Sequence, residues 1–146
     1  MKKHAQRAQE LFDDGYNCAQ SGLGAFCEEL GLDFETAMKL AYSFGGGVGG
    51  LHEICGTVSG MAAAAGYAFG KDDPSDKDAK AEHYALIQRM AIKFEDEHGS
   101  LICRELLAEL GENPAPEDRH RVCSAFVRRA AEILEDEIDA SEKFKT

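Results

Sequence analysis

Apolar residues recur along most of this chain every three or four positions, the spacing that places them on one face of an α-helix. In the last segment, for example, Val122, Phe126 and Ile133 fall on a common side. No run of alternating β-branched residues bounded by turn residues is present to predict a strand. The pattern therefore predicts an all-α protein.

Glycine, proline and capping residues divide this pattern into segments. Asn17 and Asp33 are suited to cap helix N-termini, and Gly31, Gly70 and Gly111 are suited to end helices. The predicted helices cover residues 2–13, 18–30, 34–44, 55–69, 75–99, 101–110 and 117–141. Because short connections favour antiparallel packing of neighbours, we expect one domain over residues 1–146, a helical bundle of about six to seven helices.

The composition fits a globular protein, with 146 residues of which 44% are hydrophobic. No apolar run approaches the roughly 20 residues that a membrane span needs. The basic start at residues 1–7 lacks the apolar stretch of a signal peptide, so we expect a cytoplasmic protein with no membrane association. A net charge of −11 argues against nucleic acid as a partner. The basic cluster at residues 119–129 is offset by acidic residues directly after it.

Five cysteines carry the candidate chemistry, and their odd number argues against a structural disulfide framework. Cys18, Cys55, Cys103 and Cys123 stand at or close to predicted helix starts. Free backbone N–H groups and the helix dipole there favour a thiolate and lower its pKa. We therefore predict a thiol-based site, either redox-active or metal-binding. Cys27 falls on the face of its predicted helix opposite to Cys18, so we assign it a packing role.

The chain contains no Cys-x-x-Cys pair, so tertiary packing would have to gather the four cysteines. The glycine-rich residues 45–50 match no nucleotide-binding fingerprint, and no nucleotide cofactor is expected. Glycines there are suited to positive φ angles and to a close approach of backbone to the cysteines. Gly46, Gly47 and Gly56 are therefore our candidates for cofactor contact.

The histidines give weaker signals than the cysteines. We interpret His52 as a solvated loop residue, with proton donor or metal ligand as the alternative. His4, His98 and His120 are expected on the surface. No spacing of the His-x-x-x-His type predicts a histidine metal site.

Four sequence features together resemble those of a known protein family. They are Phe-Gly-Gly-Gly-Val-Gly-Gly at 44–50, Cys-Gly-Thr-Val-Ser-Gly at 55–60, Cys-Arg-Glu-Leu-Leu at 103–107, and the following Cys123. The chain resembles the C_GCAxxG_C_C family of redox-active proteins, which are single domains with four characteristic cysteines. The similarity runs over residues 15–131. It implies functional roles for Cys18, Cys55, Cys103 and Cys123, with Gly56 and Gly60 as motif glycines. Thr57 stands where the family usually has Ala.

Three functions are consistent with this sequence. In the first, Cys18, Cys55, Cys103 and Cys123 bind a metal or an iron–sulfur cluster for electron transfer to an unidentified partner protein. A related domain of split-Soret cytochromes, thought to hold an iron–sulfur cluster, favours it by resemblance. In the second, the protein exchanges thiols and disulfides, with Cys55 as an accessible nucleophile. In the third, it is a helical interaction module without chemistry. A homodimer through the small residues of helix 55–69 is compatible with each.

Overall fold

The computed structural model describes residues 2–144, except for the side chain of Phe144. The all-α prediction is confirmed, with eight α-helices in this part of the chain. They are α1 (Lys3–Asp13), α2 (Cys18–Gly24), α3 (Cys27–Leu30), α4 (Phe34–Ala41), α5 (Gly56–Phe69), α6 (Lys77–His98), α7 (Cys103–Leu106) and α8 (Pro116–Ala140). Short 3-10 turns occur at Tyr42–Phe44, Ala108–Leu110 and Glu142–Phe144. No helix in the described range is long and apolar enough to cross a membrane.

Local capping explains where several helices begin. The Asn17 side chain accepts a hydrogen bond from the Gln20 backbone, and the Gln20 side chain accepts one from the Asn17 backbone. This capping box starts α2 at Cys18. Asp33 caps α4 in the same way by accepting from the Thr36 backbone at 3.0 Å. Both caps were predicted from the sequence.

Two of the predicted helices differ from those observed. The segment 18–30 is broken at residues 25–26 into α2 and α3, and this turn buries the ring of Phe26 in the core. The segment 101–110 becomes helical only at Cys103, because Ile102 forms an antiparallel β-bridge with Ile54. Both differences come from tertiary contacts, which a periodic pattern does not contain.

Helices α2 and α5 pack together through nearly bare backbone. A Cβ atom on Gly60 would lie 2.6 Å from the carbonyl oxygen of Ala19. A Cβ on Gly22 would lie 3.6 Å from the Gly60 backbone. The small-residue face of α5 thus allows close packing, and it places the N-terminus of α5 beside Cys18.

His4 is buried, and the prediction that it lies on the surface is wrong. Its ring stacks on Phe26 with centroids 4.3 Å apart. It also pairs with Glu135 and, at 2.5 Å, with Glu29. Two carboxylates and an aromatic ring satisfy the imidazole in the interior, which explains how a polar residue is accommodated there.

Candidate thiol site

All four cysteines predicted to form the site line one cavity of about 360 Å³. The remaining residues around it are Phe12, Asn17, Gly46, Gly47, Gly56, Leu106, Leu107, Pro114, Pro116, Arg119, His120 and Phe126. Cys27 lies outside this cavity, buried against the carbonyl of Leu23. Tertiary packing therefore brings together four thiols from four separate helices.

Cys18 and Cys123 form the most intimate pair in the cavity. Cys18 is the first residue of α2, while Cys123 lies two turns into α8, beyond the free N–H groups of that helix. Both line the cavity, and each is the largest influence on the pKa of the other. Two residues far apart in sequence are thus placed as a dithiol.

Cys55 and Cys103 are held together by the bridge between Ile54 and Ile102. The backbone N–H of Cys55 donates to Leu101 at 2.8 Å, and that of Cys103 donates to Glu53 at 2.6 Å. In an antiparallel pair, residues that follow a bridged pair on each strand share the opposite face. Both sulfurs therefore face the cavity side of this short ladder.

The glycines near the cysteines are required by close packing. Gly46 and Gly47 have φ angles of 62° and 69°, and a Cβ on Gly47 would lie 2.6 Å from the backbone nitrogen of Glu53. A Cβ on Gly56 would lie 2.7 Å from the carbonyl oxygen of Phe44. The predicted positive φ angles and close approach are confirmed at Gly46 and Gly47. That these glycines contact a cofactor stays a prediction.

The interaction within the dithiol moves the two pKa values in opposite directions. It lowers the pKa of Cys123 to about 7, an effect that Arg119 and His120 reinforce against the opposing effect of burial. The same interaction, together with burial, raises the pKa of Cys18 well above its ordinary value. Near neutral pH Cys123 is therefore the member of the pair that ionises, whereas Cys18 stays a thiol.

Burial dominates at the other two cysteines. Cys55 and Cys103 are 6% and 7% exposed, and burial raises the pKa of each thiol. At Cys55 the Thr57 hydroxyl and the N–H groups at the start of α5 oppose this rise without cancelling it. The expectation that helix starts lower the pKa is therefore wrong for Cys18, Cys55 and Cys103, because desolvation or a neighbouring thiol outweighs the helix terminus.

We expected Cys55 to be accessible because of the glycine-rich segment before it, but the structure buries this residue. Its role as the nucleophile stays a prediction. Cys123 is only partly buried, and its pKa is lowered. Of the four cysteines in the cavity, Cys123 is therefore the one best prepared to react near neutral pH.

His52 lies on the surface beside the site. Its Nδ1 atom is 3.5 Å from the sulfur of Cys103, and its backbone has a φ of 59°. The residue is exposed, which agrees with both the solvated-loop interpretation and the proton-donor or metal-ligand alternative. Next to His52 in the sequence, Glu53 forms an ion pair with Arg104 at 2.5 Å, and this pair holds the pKa of Glu53 below its ordinary value.

Arg119 and His120 are site residues that sequence reasoning missed, because their cluster was interpreted as a neutralised surface. Arg119 precedes Cys123 by one helical turn, and its charge lowers the pKa of that thiol. His120 stacks on Phe12 and pairs with Asp13 at 2.8 Å. The spacing of four residues between Arg119 and Cys123 was the signal available, since such residues are neighbours on a helix surface.

Four cysteine thiolates are a donor set that zinc and iron–sulfur clusters use. Within residues 2–144, however, no three His, Cys, Asp or Glu side chains lie close enough together to hold a metal ion. The chain supplies suitable donors but not a preassembled arrangement of them.

Comparison with known proteins agrees with the cysteine pattern. The model of the family described as "Putative redox-active protein (C_GCAxxG_C_C)" matches residues 16–137. The chain belongs to this family. The resemblance to the C_GCAxxG_C_C family that the sequence motifs indicated is thus confirmed.

A relative from Archaeoglobus fulgidus, named "Uncharacterized protein", is 30% identical over 141 residues. The alignment covers 90% of this chain and 91% of the relative. No solved structure matches the chain. The C_GCAxxG_C_C family description supports redox-active cysteines. It does not specify the kind of redox chemistry, which has to be inferred from the geometry of the site.

Proposed function

We propose that this protein is a dithiol–disulfide redox protein in which Cys123 attacks and Cys18 resolves. The observation that carries the proposal is the placement of both cysteines in one cavity, where each is the largest influence on the pKa of the other. Exchange needs one ionised sulfur and a second thiol within reach of it. The unequal pKa values of Cys18 and Cys123 support that division of roles.

The reaction with a disulfide RS–SR′ proceeds in two displacements. The Cys123 thiolate attacks one sulfur, which forms a Cys123–SR mixed disulfide and expels R′S⁻. Cys18 then gives its proton to R′S⁻, and the Cys18 thiolate attacks the sulfur of Cys123 and expels RS⁻. The substrate gains two electrons and the protein loses two, and a reducing dithiol restores the protein by the reverse steps.

The surroundings of the pair fit these steps. Arg119 and His120 stabilise the Cys123 thiolate. Burial raises the pKa values of Cys55 and Cys103 and keeps them as thiols while exchange occurs. A thiol whose pKa lies near the ambient pH attacks fastest, because it is both ionised and nucleophilic.

The first prediction is that Cys123 is alkylated fastest of the five cysteines at neutral pH. With iodoacetamide, followed by mass spectrometry of peptides, its rate should rise with a midpoint near pH 7. A small disulfide should then oxidise the protein by two hydrogen atoms and join Cys18 to Cys123. Cys18→Ser should accumulate the mixed disulfide on Cys123, because no resolving thiol remains.

Cys27→Ser is the matched control, since Cys27 lies outside the cavity. It should leave both the alkylation profile and the cross-link unchanged. Faster alkylation of Cys55 than of Cys123, or a cross-link that excludes Cys18, would refute this assignment and favour the Cys55 nucleophile predicted from sequence.

A metal or iron–sulfur centre is the second candidate. It is favoured by the convergence of four cysteines on one cavity without a carboxylate in its lining. Expression and purification without oxygen, followed by visible absorption and metal analysis, tests it. Stoichiometric iron and sulfide with a visible chromophore would support the cluster, whereas a colourless and metal-free protein from iron-replete cells would leave the dithiol proposal.

A further inference from the structure

The thiol cavity differs in charge from the rest of the protein. The chain carries 27 Asp and Glu residues against 16 Lys and Arg residues. Among the described residues that line the cavity, none is acidic, whereas Arg119 and His120 are both present. Because His120 is already paired with Asp13, an anion approaching this cavity meets Arg119 as the available cation of its lining.

Arg119 differs from most arginines of this protein in having no carboxylate partner among residues 2–144. The arginines in ion pairs are Arg7, Arg89, Arg104, Arg121 and Arg129. Arg119 instead lies one helical turn before Cys123 on α8 and lines the same cavity. A guanidinium has five N–H donors in a fixed fork, so most of its capacity remains for a bound carboxylate.

The glycine loop offers two more donors. Gly46 and Gly47 line the cavity in consecutive left-handed conformations. Within the part of the chain that the structure describes, their backbone N–H groups donate to no other residue. Backbone N–H groups that have no partner are available to an anionic ligand near the cavity.

The remaining walls are apolar, with Phe12, Leu106, Leu107 and Pro114 among them. A volume of about 360 Å³ lies at the small end of the range for sites that hold small molecules. The cavity can therefore enclose a compact organic molecule beside Cys123.

We propose that the substrates of this site are small organic disulfides that carry a carboxylate, which Arg119 binds while Cys123 attacks the sulfur. This inference rests on the proposed dithiol function and adds the substrate class to it. The two displacements described above apply unchanged, with R bearing the carboxylate. Arg119 positions the substrate and takes no part in proton transfer.

The test compares two alkylating agents of similar size, anionic iodoacetate and neutral iodoacetamide. The measured quantity is the ratio of their rates at Cys123. A change in the ionised fraction of Cys123 alters both rates equally and cancels in the ratio. Relative to the wild type, Arg119→Gln should lower the ratio of iodoacetate to iodoacetamide about threefold, the size expected for a partly solvated ion pair.

Two variants serve as controls. Arg119→Lys retains the charge and should keep most of the preference for iodoacetate. Arg128→Gln removes an exposed arginine of α8 that lies outside the cavity, and it should leave the ratio unchanged. Added salt should weaken the wild-type preference, because it screens the attraction between charges.

The possible outcomes distinguish a failure of the proposed substrate class from a failure of the dithiol function on which it rests. If Cys123 reacts rapidly with both agents and the ratio is the same in Arg119→Gln and wild type, the substrate class is refuted while the dithiol function stands. If Cys123 reacts with neither agent faster than Cys27 does, the dithiol function itself fails. An equal fall of the ratio in Arg128→Gln also refutes the specific role of Arg119.

Discussion

Thr57 shows how a single hydroxyl influences the thiol site. The residue is 1% exposed, and its hydroxyl makes no hydrogen bond among the described residues. Its neighbours are the sulfurs of Cys18 and Cys55, and it lowers the pKa of each. A thiolate accepts a hydrogen bond far better than a thiol does. Thr57 therefore favours states of the site in which one of these sulfurs is ionised.

Replacing Thr57 by Val keeps the shape of the side chain and removes the hydroxyl. We expect the pKa values of Cys18 and Cys55 to rise, measured by alkylation as a function of pH. The reduced protein should be as stable as wild type or more so, by up to about 1 kcal/mol in urea unfolding, because a poorly satisfied buried hydroxyl is lost.

Thr57→Ser is the control for this substitution because it restores the hydroxyl. It should return the pKa values towards those of the wild type despite the methyl group that it lacks. Unchanged pKa values in Thr57→Val would show that the hydroxyl does not act on the sulfurs.

At the scale of elements, the seam between α2 and α5 determines where the first two cysteines meet. Gly60 and Ala19 form its closest contact. Because Cys18 begins α2 and Cys55 precedes α5, any separation of the two helices also separates these sulfurs. The glycines of α5 thus serve the site through packing.

Two glycines of α5 provide a matched test of this packing. In Gly60→Ala the new Cβ would lie 2.6 Å from a backbone oxygen, so α2 must shift, and we expect a loss of about 2 kcal/mol in unfolding free energy. In Gly66→Ala the Cβ enters open space within a helix, and we expect a gain of roughly 0.5–1 kcal/mol.

Urea unfolding of both alanine variants measures these changes. The yield of the disulfide between Cys18 and Cys123 should fall in Gly60→Ala only. Equal stabilities of the two variants would mean that the seam tolerates a side chain, contrary to the geometry of α2 and α5.

The sequence predicted most helices because their apolar spacing and caps are local properties. Asn17 and Asp33 identified two helix starts correctly. The β-bridge between Ile54 and Ile102 was not predictable, since a single bridged pair leaves no period in the sequence. The break at residues 25–26 depends on where Phe26 finds space in the core, which is likewise a tertiary property.

The cysteines of the candidate site stood out in the sequence, but their pairing and the neighbouring Arg119 and His120 did not. Four cysteines and two residues of the glycine loop, Gly46 and Gly47, line one cavity. Nothing local connects Cys18 with Cys123, so their pairing required the fold. The pKa values were mispredicted because a helix start is a local feature, whereas the burial of Cys55 and Cys103 depends on distant residues.

At the scale of the whole molecule, α8 links the site to the rest of the bundle. It packs against α1, α2, α5 and α6. Two ion pairs tie it to α6, Arg89 with Glu137 at 2.9 Å and Arg129 with Glu97 at 2.6 Å. Cys123 therefore lies on an element whose position is fixed from several sides, which holds it opposite Cys18.

The titration of this site should be visible in the stability of the entire reduced protein. The pKa of Cys123 is about 7 in the folded state and about 8.5 in an unfolded chain. Between these values the unfolded state binds more protons, so the unfolding free energy should rise with pH, by of order 1–2 kcal/mol. As the pH approaches about 8.5 the sign reverses, because Cys18, Cys27, Cys55 and Cys103 have raised pKa values and ionise first in the unfolded chain. Urea unfolding with a reductant should therefore show a stability maximum between these pH values. Cys123→Ser should lose the rise and keep the fall, and a rise that survives in this variant would assign the titration to another group.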